Sequence, residues 1–201
     1  MSKVIFISGP HGSGKTTLIK NLTSKYLFIE KNNFEIDFLK EYPSMPNMNM
    51  FERCLLRLYH RFYVGEMILK KYNSTDKVIM IDRGIHDSMA YSKVEYMLNE
   101  MDNMHYELLC KIAKECLDIL NPYTIILNPE VNTINERLKK RRQAGTRPER
   151  EVLCAREDTP DYITKLHSEF EKYKFGKNIL YITDNDIKAE KNIIRWIDTF
   201  E

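Results

Sequence analysis

Five short apolar runs punctuate the chain, at residues 4–8, 26–30, 77–82, 123–128 and 178–183, and polar-apolar stretches of helical period separate them. Runs that are apolar on both faces, rather than alternating, belong to strands buried on both sides, and strands spaced by one or two helices pair in parallel. The periodic stretches predict helices at about 14–25, 50–72, 86–99, 103–120, 130–143, 160–174 and 186–200. Pro43, Pro46 and Pro129 interrupt helix, so 41–49 is expected to be a loop over the sheet. The pattern therefore predicts an α/β fold of three layers, a five-stranded parallel sheet flanked by helices. In such a sheet, ligands lie beyond the carboxyl ends of the strands. The residues leaving the runs there, Ser8, Gly9, Glu30, Asp82, Arg83 and Asn128, are polar or glycine and should ring one crevice.

The first run passes straight into Gly9-Pro10-His11-Gly12-Ser13-Gly14-Lys15-Thr16, and a helical pattern starts at Thr16-Thr17-Leu18-Ile19. Glycines here let backbone N–H groups close on phosphate oxygens, a lysine reaches the β/γ-phosphates, and a hydroxyl ligates Mg²⁺. The helix N-terminus behind the loop adds its dipole to the attraction for the anion. Strand, glycine loop and helix together identify a phosphate-binding loop, with Gly9, His11, Gly12, Ser13, Gly14, Lys15, Thr16 and Thr17 as the nucleotide contacts. A second chemical cluster leaves the third run as Asp82-Arg83. An acid there can hold the metal or act on the acceptor, and an arginine can grip a phosphate in two-pronged fashion.

Composition narrows the field. With 201 residues, 43 % hydrophobic and 30 % charged, the chain suits one globular domain, and its apolar runs are far too short to span a bilayer. The first strand starts within a few residues of Met1, leaving no room for a secretory leader, so a cytoplasmic location is expected. Cys54, Cys110, Cys116 and Cys154 form no Cys-x-x-Cys pair and no histidines flank them at ligand spacing, so free thiols are expected rather than zinc or disulfides. Net charge is only +2, yet residues 137–150 hold seven Lys and Arg against the single acid Glu149. That concentration, followed by Ala144-Gly145-Thr146, predicts a lid at about 137–158 that closes over anionic ligand.

These residues resemble the thymidylate kinase and deoxynucleoside kinase superfamily of P-loop kinases. Asp82-Arg83 running on to Ser88-Met89-Ala90-Tyr91 is similar to the acid-arginine pair and Ser-x-Ala-Tyr of thymidylate kinases. Arg61, 21 positions before Asp82, stands at the spacing of their base-contacting arginine. Asn128-Pro129-Glu130-Val131, the stretch 136–141 and Tyr162-Ile163-Thr164-Lys165-Leu166-His167 are similar to the family's strand exit, lid helix and post-lid helix. The resemblance implies ATP- and Mg²⁺-dependent phosphotransfer to a nucleoside monophosphate, with a deoxynucleoside 5′-hydroxyl as the alternative acceptor. A polynucleotide-end kinase or a regulatory P-loop NTPase ranks lower. In this scheme Lys15 holds the β/γ-phosphates, Thr16 and Asp82 the metal, and Arg83 the acceptor's reacting end. Arg141, Arg142 and Arg147 cover the transferring group, and Glu30, Arg61 and Tyr91 meet the substrate, with Glu35 second to Glu30 as the acceptor base. Ser92 and Arg57 stand where thymidylate kinases usually carry a glutamine and a stacking aromatic, and His11 where they commonly carry an acid. A small-molecule partner is implied, with neither membrane nor nucleic acid, and a homodimer is left open.

Overall fold

The computed structural model describes residues 3–31, 42–72, 76–145, 155–184 and 186–200. Its five strands are β1 (Lys3–Ser8), β2 (Ile29–Lys31), β3 (Val78–Asp82), β4 (Tyr123–Leu127) and β5 (Ile179–Ile182). All pair in parallel in the order β2-β3-β1-β4-β5. The helices are α1 (Lys15–Lys25), α2 (Met50–Lys71), α3 (Ile85–Met97), α4 (Asn103–Leu120), α5 (Val131–Gln143), α6 (Pro160–Glu171) and α7 (Ile187–Asp198). Short 3₁₀ turns cover Met45–Asn47 and Ala155–Asp158.

Side chains alternate across each strand, and both faces are covered, which is why the strands read as unbroken apolar runs. Ile5, Ile7, Val78, Met80, Ile125 and Leu127 bury against Leu18, Ile19 and Leu22 of α1 and Ile193 and Ile197 of α7. Val4, Phe6, Ile79 and Ile81 face the other way, onto Leu58 and Ile68 of α2 and Leu109 and Ala113 of α4. Ile126 continues that face onto α3 and α6 through Ala90, Val94, Tyr162, Leu166 and Phe170. The three-layer architecture expected from the runs is the one observed.

The main departure lies at β2. Tyr26 closes α1 by donating its N–H to Leu22 O at 2.9 Å, and the following turn leaves Leu27 almost fully exposed. The strand therefore begins three residues later than the apolar run, and Glu30 pairs with Ile79 in register. Glu30 stands three residues, about 10 Å, short of the level of Asp82. Its carboxylate faces solvent and pairs with Lys77 at 3.2 Å. As a substrate contact at the carboxyl ends of the strands it is displaced, and Glu35, the second candidate, lies outside the described residues.

Candidate functional site

The donor side is built from backbone. Gly9 has φ +143°, and a Cβ on it would sit 2.1 Å from Leu127 O at the end of β4, so only glycine lets the chain leave β1 there. Gly12, at φ +82°, lies against Ile134 and Leu138 of α5 with no room for a side chain to spare. Helix α5 is thus seated directly on the loop, and Arg137 Nη1 donates to Ser13 O at 2.6 Å. Gly14, left-handed at φ +106°, precedes α1. The buried Lys15 folds back to donate to Gly9 O and Pro10 O, each at 2.8 Å. The ammonium rests on the carbonyls of its own loop, in position to exchange them for phosphate oxygens. Thr16 Oγ1 donates to Asp82 Oδ2 at 2.7 Å, joining loop and β3 exit. One hydroxyl and one carboxylate so placed fit a magnesium ion that takes its remaining ligands from phosphates and water. Among the described residues no cluster of three or more His, Cys, Asp or Glu could hold a metal by itself. Thr17 is exposed at the start of α1.

The opposite side of the crevice is built from side chains of several elements. Arg83 adopts φ +76°, unusual for a residue with a Cβ, and its N–H donates to Ile7 O at 2.9 Å, which holds the kink against β1. The kink aims the guanidinium at Asp87, Nη1 to Oδ1 3.2 Å, and over the Tyr91 ring, 5.5 Å from its centroid. Asp87 is fully buried and also accepts from the Gly84 N–H at 3.0 Å, capping α3. Burial opposes its charge, but Arg83, Arg61 and Lys15 outweigh burial and hold the carboxyl below its ordinary range. Burial likewise opposes the charge on Arg83, and Tyr91, Asp87 and Asp82 reverse the balance, leaving it above the ordinary arginine value. Arg61 is less well compensated. Burial lowers it to about 10, with Asp87 opposing that fall and Arg83 and Arg57 adding to it, and its Nη1 donates to Ser88 Oγ.

Tyr91 is buried, and its hydroxyl is committed to the phosphate loop. It lies 2.7 Å from His11 Nδ1 and accepts the His11 N–H at 3.0 Å. Tyr91, expected to touch substrate, carries Arg83 over its ring and braces the loop through its hydroxyl. His11 Nε2 sits 2.9 Å from Asp158 Oδ1. The preceding residues of the same turn reach elsewhere. Glu157 pairs with Arg57 at 3.6 Å, and Arg156 with the buried Glu95 and with Glu100. Glu95 also accepts from Tyr162 Oη at 2.7 Å, and its burial raises its pKa despite these partners.

The structure thus brings together Lys15, Thr16, Asp82, Arg83, Arg61 and Tyr91 around the ends of β1 and β3. Arg141 and Arg142 lie in the exposed last turn of α5, on the helix that carries Arg137 to the loop. Arg147 and the rest of residues 146–154 of the expected lid lie outside the described residues. Sequence reasoning missed Asp87, Arg137 and Asp158 as parts of the site. For Asp87 a signal was available, since an acid three residues after a strand-exit glycine is a helix-capping pattern. Asp158 carried none, because its partner is 147 positions away in sequence.

Residues 4–150 match the family model described as AAA domain. No curated protein matches the chain. Among solved structures, deoxyadenosine kinase from M. mycoides with bound dATP is 19 % identical, at a TM-score of 0.66 over 97 % of this chain and 99 % of that one. The same kinase with bound dCTP is 22 % identical at a TM-score of 0.68, covering 98 % of this chain and 100 % of its own. With dCMP and a flexible dCDP the values are 20 % and 0.68 over the same shares. At these identities the likeness establishes the fold.

Proposed function

We propose that this chain, which belongs to the AAA-domain family, is an ATP- and Mg²⁺-dependent phosphotransferase whose acceptor is a deoxynucleoside. The observation that carries this reading is the pairing of Arg83 with the fully buried Asp87 beside the Thr16–Asp82 contact. It supports reading Arg83 as an acceptor clamp beside a metal-compatible pair at one phosphate loop. Lys15 leaves its carbonyls for the β/γ-phosphates of ATP, and the loop N–H groups take the remaining phosphate oxygens. Thr16 and Asp82 would hold Mg²⁺, which would supply neutralisation of phosphate charge. Arg83 fixes the reacting end of the acceptor. Arg141, Arg142 and Arg147 close from the lid. Catalysis is then positioning and charge stabilisation, with no covalent intermediate.

Charge balance favours the nucleoside over the monophosphate. Asp87 answers Arg83 and Arg61, and Glu157 answers Arg57, so the acceptor wall is nearly compensated before anything binds. An uncharged acceptor suits that wall. The kinship of fold with the deoxyadenosine kinase supports the same choice. The second reading, a thymidylate-kinase-like enzyme acting on a nucleoside monophosphate, is favoured by the convergence of Arg57, Arg61 and Arg83. It requires the 3.6 Å Arg57–Glu157 pair to open. ATP consumption measured across deoxynucleosides and their monophosphates tests the two. Turnover with nucleosides supports the first reading, turnover confined to monophosphates the second, and none with either removes both.

A further inference from the structure

The turn Ala155–Asp158 is the point at which the chain returns from the expected lid, and its last three side chains clasp three separate parts of the site. Arg156 reaches Glu95 and Glu100 on and beside α3, Glu157 reaches Arg57 of α2, and Asp158 reaches His11 in the phosphate loop. The Asp158 limb is the most enclosed. His11 is 4 % exposed and the Asp158 side chain 13 %, and the imidazole lies between the Asp158 carboxylate and the Tyr91 hydroxyl. The 2.9 Å approach is a close polar contact rather than an aligned hydrogen bond, and it attracts the carboxylate when the proton is on Nε2. That leaves Nδ1 as acceptor for the Tyr91 O–H, while the Tyr91 oxygen accepts the His11 N–H. The ring of the same tyrosine supports Arg83. A continuous path therefore runs Asp158, His11, Tyr91, Arg83, crossing from the lid's return to the donor loop and on to the acceptor clamp.

We propose that Asp158 is a positioning residue that, through His11 and Tyr91, holds the phosphate loop and Arg83 in mutual register. The physical need is plain at His11. Its loop is fixed on one side by α5 through Gly12 and Ser13, and the His11–Tyr91 contacts are what fix it toward α3. Without the Asp158 carboxylate packed beside Nε2 the imidazole is less tightly held, and both bonds to Tyr91 loosen together. Asp158 touches neither nucleotide nor acceptor in this scheme. Its effect on phosphotransfer rests on the function proposed above; its effect on the loop does not.

Binding of ATP to the full chain without acceptor, followed by a fluorescent nucleotide or by calorimetry, tests this separately from turnover. Asp158→Ala should weaken ATP about tenfold, whereas Asp158→Asn, which keeps an acceptor oxygen facing Nε2, should stay within about threefold of wild type. Tyr91→Phe should weaken ATP to a similar degree. Because both act through one path, the double variant Asp158→Ala/Tyr91→Phe should lose much less than the product of the single losses. Should Asp158→Ala not fold, Tyr91→Phe and Asp158→Asn carry the expectation alone, the first weakening ATP and the second not. ATP affinity unchanged in Asp158→Ala or Tyr91→Phe, or fully multiplicative losses in the pair, overturns the proposal. Failure of the wild type to phosphorylate any acceptor would overturn the proposed function and leave these binding results to decide the latch.

Discussion

The two halves of the site are made of different materials. The proposed donor half is one contiguous segment, residues 9–16, whose proposed working groups are backbone N–H groups, one lysine and one hydroxyl. Two of its glycines hold positive φ in places that α5 and β4 leave no room to change. The acceptor half is a mosaic of Arg57 and Arg61 from α2, Arg83 and Asp87 at the start of α3, Tyr91 within it, and Glu157 and Asp158 from a 3₁₀ turn. Its charges are largely satisfied by one another. A phosphate-binding half that presents backbone dipoles needs nothing paired in advance, while a half made of buried ions must be nearly neutral before it can fold.

Lys15→Ala tests the donor half most severely. It removes the only charge the loop itself contributes and should lower kcat by about a thousandfold while the fold persists, since no buried acid depends on Lys15 alone. Steady-state turnover and a thermal melt check it. Activity in the range of ordinary surface variants would mean that the loop is not the donor site.

Arg83→Ala should reduce kcat/KM for the acceptor by about a hundredfold and leave ATP affinity nearly unchanged. Separate titrations of ATP and acceptor decide it. Collapse of ATP affinity with acceptor affinity intact would reverse the division of the site.

The same contrast explains what was legible in the sequence. Four of the five strands and the phosphate loop could be read because their information is local. Double burial makes a strand an apolar run, and a tight anion-binding turn needs glycines at closely spaced, fixed places. The acceptor half is encoded in pairings across the fold. Asp87 looks like any acid in a first helical turn until Arg83, kinked to φ +76°, turns onto it. Asp158 gains meaning only when the 155–158 turn is laid against His11. Glu30 was misplaced for a related reason. Apolar content at Tyr26 and Leu27 extends the run, but the hydrogen bond from Tyr26 N–H to Leu22 O assigns the first of these to the end of α1. That moves the start of the strand later by three residues and leaves Glu30 three residues short of the level of Asp82.

Burial gives the helix that carries Asp87 and Tyr91 a pH signature. His86 on α3 is buried against Tyr173, with Nδ1 near Thr124, and burial pulls its pKa down from 6.5 to about 4, Asp87 opposing only in part. Between these values the unfolded chain takes up a proton that the folded chain refuses. Stability is therefore full above the unfolded value and falls as pH drops through it toward the folded one. The loss between about pH 7 and pH 5 should be about 2 kcal/mol. Urea unfolding at the two pH values measures it, and His86→Gln should flatten the slope. An unchanged slope in that variant would assign the acid sensitivity to other groups.

The smallest effect is expected at the end of α5, beyond the phosphate loop. Arg137 on that helix already grips Ser13 O, and Ile134 and Leu138 seat the helix on Gly12, so the loop is held before any ligand arrives. Arg141 and Arg142 stand one turn further on, exposed, where solvent screens their charge until a lid closes. Replacing both by alanine should therefore leave ATP affinity within about twofold and lower kcat by about fivefold, because their contribution is confined to the closed state over the transferring group. Arg137→Ala should do the opposite, weakening ATP more than it slows transfer. If the two variants behave alike, α5 acts as one uniformly charged rail, and the boundary between donor loop and lid disappears.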